Sequence, residues 1–330
     1  MTKRRQLLFG LVTATLTIVV MAGVLLAADL WAHRRAERTA GVNRRGYRGA
    51  IVGAKRGGEW RLAMLGGSTV FGYGVFANES LPAQLEAALR GRGLTASVVN
   101  LGFNSEGAYA FAPTIRDYAA LAPDVVILYE GYNDLLPEDP NRFLGRHGSL
   151  VFRATGYFPI LPVVLHDKAD AVARRGGGSK TVFGAAAGVV DALSRQIGRL
   201  TPAEAAGAAK SGADTPTATT GAAMASRRWS FYCESVANAI RTARAQQASV
   251  LVVSQPYISD SHVEQQQALR VALQQFQGDP HVSYVDGGRV IDLKDVRLAF
   301  DGMHLTPEGN HLMAGVLAAS LVQLVPAFSR

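Results

Sequence analysis

The chain has 330 residues, 48% of them hydrophobic, which suits one large α/β domain with additions. Its formal net charge of +8 resides entirely in residues 1–60: they hold 11 of the 34 Lys and Arg and 3 of the 26 Asp and Glu, leaving 23 of each sign. A folded part that balances to zero excludes a basic nucleic-acid-binding face, and a lone cysteine, Cys233, excludes an intrachain disulfide.

The first predicted element is an apolar run over residues 7–30, free of charge until Asp29. Lys3, Arg4 and Arg5 precede it; Trp31, His33, Arg34 and Arg35 follow. It exceeds the ~18 residues that point to a membrane-spanning helix and the roughly 7–15 of a signal-peptide core. Residues 1–32 are therefore expected to form a retained single-pass anchor, with cleavage near Ala27 and Ala28 as the alternative. Residues 33–60 form a basic juxtamembrane segment and lead-in to the domain, suited to anionic headgroups. Six arginines between Arg34 and Arg48 outnumber the three basic residues before the span, a count that alone favours a cytoplasmic domain. The arginines of the Asn43 to Gly49 stretch read instead as part of the folded structure, and an N-terminal span resembles an uncleaved export signal. An extracytoplasmic domain is expected.

Five apolar runs without alternation, at 61–65, 96–100, 124–129, 249–254 and 282–286, read as parallel strands covered on both faces. Helical patterns at 81–90, 109–121, 229–247, 261–276 and 306–324 lie between and after them. Ser80 is placed to cap the first of these, with Pro82 close behind. Strands alternating with helices predict a doubly wound α/β sandwich over residues 61–330. An insertion at 135–228 is far longer than an ordinary crossover. It has apolar stretches at 149–152 and 157–165, a glycine turn at 176–178 and a helical pattern at 182–200. Residues 206–225, rich in Ala, Gly, Thr and Ser, are expected to be disordered. The apolar part suits a lid, a substrate wall, a membrane-facing patch or a packed hairpin with no direct role.

Four short blocks carry chemistry: Gly66-Gly67-Ser68-Thr69, the stretch from Asn100 to Gly107, Gly131-Tyr132-Asn133-Asp134, and Asp301-Gly302-Met303-His304. The first three directly follow a predicted strand, and the fourth lies in the loop between the last strand and the last helix. Ligands of open α/β sheets bind beyond the carboxyl ends of strands. Ser68, after a glycine turn, is a nucleophile candidate, but a serine hydroxyl needs a base. Of seven histidines, His304 alone has an aspartate three residues earlier in a loop leading to a helix, so Asp301 can select its tautomer and steady its charged form. Asn133 offers a side-chain amide to an oxyanion, with turn chemistry as its ordinary use. Backbone amides of Ser68 and of a residue after Asn100 complete the donor set.

Other patterns say less. Gly72-Tyr73-Gly74 lacks the third glycine and acidic partner of a dinucleotide fingerprint. No His/Cys cluster has metal-ligand spacing. Asn78-Glu79-Ser80 matches a glycosylation sequon, as short strings do by chance. Cys233 has no histidine in an evident motif with it and reads as a small buried apolar residue.

The order of these blocks resembles the SGNH (GDSL-like) hydrolases over residues 43–135 and 229–325, most closely bacterial members whose first block reads like Leu65 to Gly72. The resemblance implies a flavodoxin-like three-layer α/β/α sandwich with a five-stranded parallel sheet. It also implies an acyl-serine esterase with Ser68 as nucleophile, His304 as base, Asp301 as its partner and Asn133 as an oxyanion donor. Counted without a gap from Asn100, the family's oxyanion glycine falls on Ser105; a small shift makes it Gly107 or Gly102, and a serine backbone N–H serves as well. The first block has Gly-Gly-Ser where the family name has Gly-Asp-Ser, with no catalytic atom lost. The expected substrate is a small-molecule or glycan ester, with no metal or organic cofactor. An O-acyltransferase or deacetylase acting on envelope glycans and a non-catalytic envelope scaffold are the alternatives.

Overall fold

The computed structural model describes residues 3–129, 131–135, 147–165 and 228–324. The expected turn at 176–178, helix at 182–200 and disorder at 206–225 lie outside the described residues. The valine- and leucine-rich runs form β1 (Trp60–Gly66), β2 (Ala96–Asn100), β3 (Val125–Tyr129), β4 (Ser249–Val253) and β5 (Val282–Val285). They pair in parallel in the order β2-β1-β3-β4-β5, the flavodoxin-like order. Alternate residues of each strand feed opposite cores. Leu62, Met64, Ile127 and Leu251 enter one, and Ala63, Leu65, Leu128 and Val250 the other. Helices cover both faces, so no polar alternation marks the sequence.

Among the described residues, eight α-helices have defined bounds: α1 (Lys3–Ala40), α2 (Ser68–Phe71), α3 (Leu81–Gly91), α4 (Phe111–Asp117), α5 (Leu150–Thr155), α6 (Ser230–Ala245), α7 (Asp260–Leu273) and α8 (Pro307–Leu324); residues 161–165 are helical too, and short 3₁₀ turns lie between. One face of the sheet is covered by α3 and α8, and the other by α4, α6 and α7. This is the three-layer α/β/α sandwich. In α3, Leu81, Leu85 and Leu89 are spaced one turn apart and fully buried; each contributes roughly 1.5–3 kcal/mol at most. The pattern at 109–121 gives no continuous helix: α4 stops at Asp117 and a 3₁₀ turn follows at Ala119–Leu121. Tyr118 donates its hydroxyl to Arg45 O at 2.7 Å, and Ala122 turns left-handed before Pro123.

α1 runs ten residues beyond the apolar stretch. Residues 3–27 are exposed along its whole circumference, and the helix is long and apolar enough to cross a membrane. Its last turns pack on the domain through Asp29, Ala32 and His33, all buried, and through the partly buried Ala36 and Ala40. This 3–4 spacing puts them on one face. Asp29 accepts the Leu161 N–H at 2.6 Å and the Tyr157 hydroxyl, while His33 Nε2 donates to Phe158 O at 2.5 Å. These two polar residues therefore clamp the insertion against the helix end.

His262, in the first turn of α7, is fully buried with neither ring nitrogen hydrogen-bonded, edge-on to Tyr132 at 5.1 Å and Tyr257 at 5.5 Å. Burial pushes its pKa down to about 4. The unfolded chain takes up this proton near pH 6.5 and the folded one only near 4, so stability falls with pH between those values. Wild-type protein is expected to lose on the order of 2 kcal/mol from this group between pH 7 and 5. Chemical denaturation at both pH values should show that loss shrinking in His262→Phe; an unchanged pH slope would refute the assignment.

Candidate active site

In the sheet order, β1 and β3 mark the point where the strand sequence reverses, and ligand crevices open there beyond the carboxyl ends. Ser68 follows β1 and Asn133 follows β3. Gly66 permits the turn: a Cβ there would lie 2.2 Å from Tyr129 O and 2.4 Å from Val70 Cγ2. Gly67 leads directly into α2, so Ser68 starts the helix and its backbone N–H has no partner within it.

A four-residue helix is too short to stand alone, and its C-terminal carbonyls are taken by side chains. Asn100 Nδ2 donates to Val70 O at 2.9 Å and to Phe71 O at 3.2 Å. Buried Arg48 donates through one terminal nitrogen to Phe71 O and Gly72 O at 2.6 Å each, and through the other to Val75 O at 2.7 Å. Its Nε reaches Ala40 O, the last residue of α1, at 2.9 Å. Arg48 thus ties the serine turn to the end of the N-terminal helix.

His304 and Asp301 come from a small loop closed by the antiparallel bridge between Ala299 and Leu305, both buried in the core. Asp301 Oδ1 accepts the N–H groups of Met303 and His304 at 3.0 and 2.7 Å, and its Oδ2 lies 2.7 Å from His304 Nδ1. His304 Nε2 lies 2.8 Å from Ser68 Oγ. With a carboxylate on Nδ1, the neutral ring carries its proton there and turns the Nε2 lone pair toward the serine hydroxyl. Burial pushes the Asp301 pKa up, but the two N–H groups and the imidazole outweigh it and hold the carboxyl below its usual value. The carboxylate is therefore ionised at neutral pH. Tyr73 and Phe300 flank the ring, with centroids 4.9 and 5.9 Å away, and Phe300 lies nearly parallel to it.

Asn133 begins a 3₁₀ turn and donates Nδ2 to Glu106 O at 2.9 Å, which fastens it to the loop after β2. In that loop the three glycine-position candidates differ. Gly102 N donates to Asn100 Oδ1 at 3.1 Å. Gly107 is extended, and a Cβ there would lie 2.5 Å from Asp134 Oδ1, whose carboxylate accepts the Ala108 N–H. Ser105 is exposed and takes φ +63°, a conformation that glycine favours. The structure thus joins Ser68, His304 and Asp301 in one hydrogen-bonded line and ties Asn133 to the loop that carries Ser105 and Gly107.

Sequence reasoning missed Gln255, which is 1% exposed just past β4. Its Nε2 donates to Thr69 Oγ1 at 2.7 Å and its Oε1 accepts the Tyr132 N–H at 2.9 Å. It braces the serine turn against the residue beside Asn133. Nothing in the sequence around Gln255 signals this. Tyr73 was equally hidden, inside a Gly-x-Gly string; Arg48 lies in the stretch expected to be folded, but nothing there marks its grip on the serine turn.

A sequence profile described as the GDSL-like lipase/acylhydrolase family matches residues 64–312, about three quarters of the chain. The protein belongs to this family. It is a hydrolase acting on ester bonds. No curated protein sequence matches the chain significantly. Solved structures resembling this GDSL-like hydrolase include a family 3 carbohydrate esterase from Clostridium thermocellum. That pair has a TM-score of 0.45 and 13% identity, over 81% of this chain and 97% of the other. A GDSL-like lipase from Bacteroides thetaiotaomicron matches with a TM-score of 0.44 and 12% identity, over 83% of this chain and 93% of the other. Likeness at that level transfers neither substrate nor mechanism to this hydrolase.

Proposed function

We propose that this protein is a serine esterase working through an acyl-Ser68 intermediate, tethered by α1 to a membrane with its domain on the extracytoplasmic side. The observation that carries the mechanism is the continuous line from Asp301 through His304 to the Ser68 hydroxyl, with contacts of 2.7 and 2.8 Å. His304 Nε2 takes the hydroxyl proton as Oγ attacks the ester carbonyl carbon, and Asp301 steadies the resulting imidazolium. The tetrahedral oxyanion is held by the Ser68 N–H, an Asn133 side-chain N–H and a backbone N–H of the loop after β2. We assign that last donor to Ser105, because its left-handed backbone marks the glycine-like position, while packing against Asp134 accounts for the glycine at 107. Collapse expels the alcohol with the proton from His304. Water, deprotonated by the same nitrogen, then releases the acid and restores Ser68.

The test is covalent labelling of the full-length, detergent-solubilised protein by a fluorophosphonate. Wild type is expected to be labelled and Ser68→Ala is not. Cys233 offers no competing nucleophile, since burial pushes its thiol up to about 11. Absence of labelling in folded wild type would favour a scaffold that has kept the fold without the chemistry.

A further inference from the structure

A cavity of about 260 Å³ opens beside the serine turn, with walls from four separate parts of the chain. Val42 follows α1, Phe71 ends the serine helix, Phe103 belongs to the loop after β2, and Phe158, Ile160, Val163 and Val164 come from the insertion. Its polar lining comes from Asn104 and Ser105, adjacent residues of that same loop. We infer that this cleft receives the acyl chain of the ester substrate, an apolar chain of short to medium length; the inference rests on the serine-esterase reading above.

Four features support this occupant. The walls are aromatic and branched aliphatic, so a chain entering them leaves water at a gain of about fourfold in binding per methylene. The polar lining lies on the loop assigned to the oxyanion, so a chain in the cleft would keep its carbonyl at that end. Phe71 is three residues after Ser68 on one helix, a spacing that puts side chains ~5–6 Å apart at Cβ, so the cleft begins within one turn of the nucleophile. The volume is below the ~300–1,000 Å³ of sites for drug-sized ligands, which suits a single chain better than a fused ring system.

The wall from the insertion is also the segment that α1 grips through Asp29 and His33. The cleft therefore lies on the side of the domain that carries the membrane-spanning candidate, where an apolar substrate is concentrated.

The experiment uses full-length protein in detergent and p-nitrophenyl esters from acetyl to octanoyl. In wild type, kcat/KM is expected to rise about fourfold per methylene over the first few carbons, roughly 10²-fold from acetyl to hexanoyl. Val164 is only partly buried. Val164→Phe, which fills the cleft, is expected to lose at least ten times more activity on octanoyl than on acetyl. Val164→Ala is expected to move the optimum to longer chains. A flat profile or an acetyl optimum in wild type overturns the inference, as does an equal loss on all esters in Val164→Phe. If folded wild type hydrolyses no ester, even acetyl, the serine-esterase reading has failed and the cleft assignment falls with it. Ser68-dependent acetyl hydrolysis with a flat profile removes the cleft assignment alone.

Discussion

Ser68→Ala is expected to lower kcat on an activated acyl ester by about 10⁴- to 10⁶-fold, and His304→Ala by a similar factor. Residues that act as one unit lose their effect together, so the double variant should fall no further than the worse single one. The geometry predicts this, because Ser68 Oγ faces His304 Nε2 at 2.8 Å and neither group has a chemical use here without the other. Asp301→Asn is the sharper probe. Oδ1 of residue 301 accepts two backbone N–H groups, so an asparagine would keep its oxygen there and turn its NH₂ toward His304 Nδ1. The imidazole would then have to accept at Nδ1 and carry its proton on Nε2, facing Ser68 with no lone pair. A loss of about 10⁴ in kcat with a normal melting temperature is expected. Steady-state kinetics on detergent-solubilised variants provide the check. Activity within tenfold of wild type in Ser68→Ala would remove Ser68 as nucleophile.

Asn133→Ala should lower kcat by about 10²- to 10³-fold with KM changed only a few-fold, the loss of one preorganised oxyanion donor, ~2.7–4 kcal/mol. The effect falls on kcat because the charge the amide stabilises exists only in the transition state. Asn133 also holds the Glu106 carbonyl, so removing it should cost about 1 kcal/mol of stability as well. Thermal melting separates the two roles: a small drop in Tm with a large drop in kcat marks the oxyanion donor. A kcat within about fivefold of wild type would leave Asn133 with the structural role alone.

Residues 68, 301, 304 and 133 were legible because each sits in a short string whose surroundings carry the signal. Glycines preceded the serine, an aspartate stood three residues before the histidine, and the first and third blocks followed a strand. The aspartate-histidine spacing is local geometry: one loop of four residues delivers both the backbone and ring contacts of Asp301. Gln255 carries no such mark. Its partner Thr69 is 186 residues away, so the pair exists only once β4 lies in the same sheet as β1. Tyr73 comes to flank the imidazole for a similar reason, whereas Phe300 belongs to the same loop as His304. His262 carries no mark in the sequence, and its burial appears only where α7 packs it against two tyrosines.

Local pattern alone determined the parallel α/β architecture, the apolar N-terminal helix and the candidate residues that meet in the line from Asp301 through His304 to Ser68. These depend on strand composition, helix length and loop chemistry, which are properties of a few consecutive residues. Tertiary structure decided the bracing of the serine turn by Arg48, Asn100 and Gln255, the docking of the α1 end through Asp29 and His33, and the cleft between them. Each of these joins segments far apart in the chain. Contacts of that kind form where buried polar groups must find partners and apolar walls must meet, and no short stretch of sequence records where that will be.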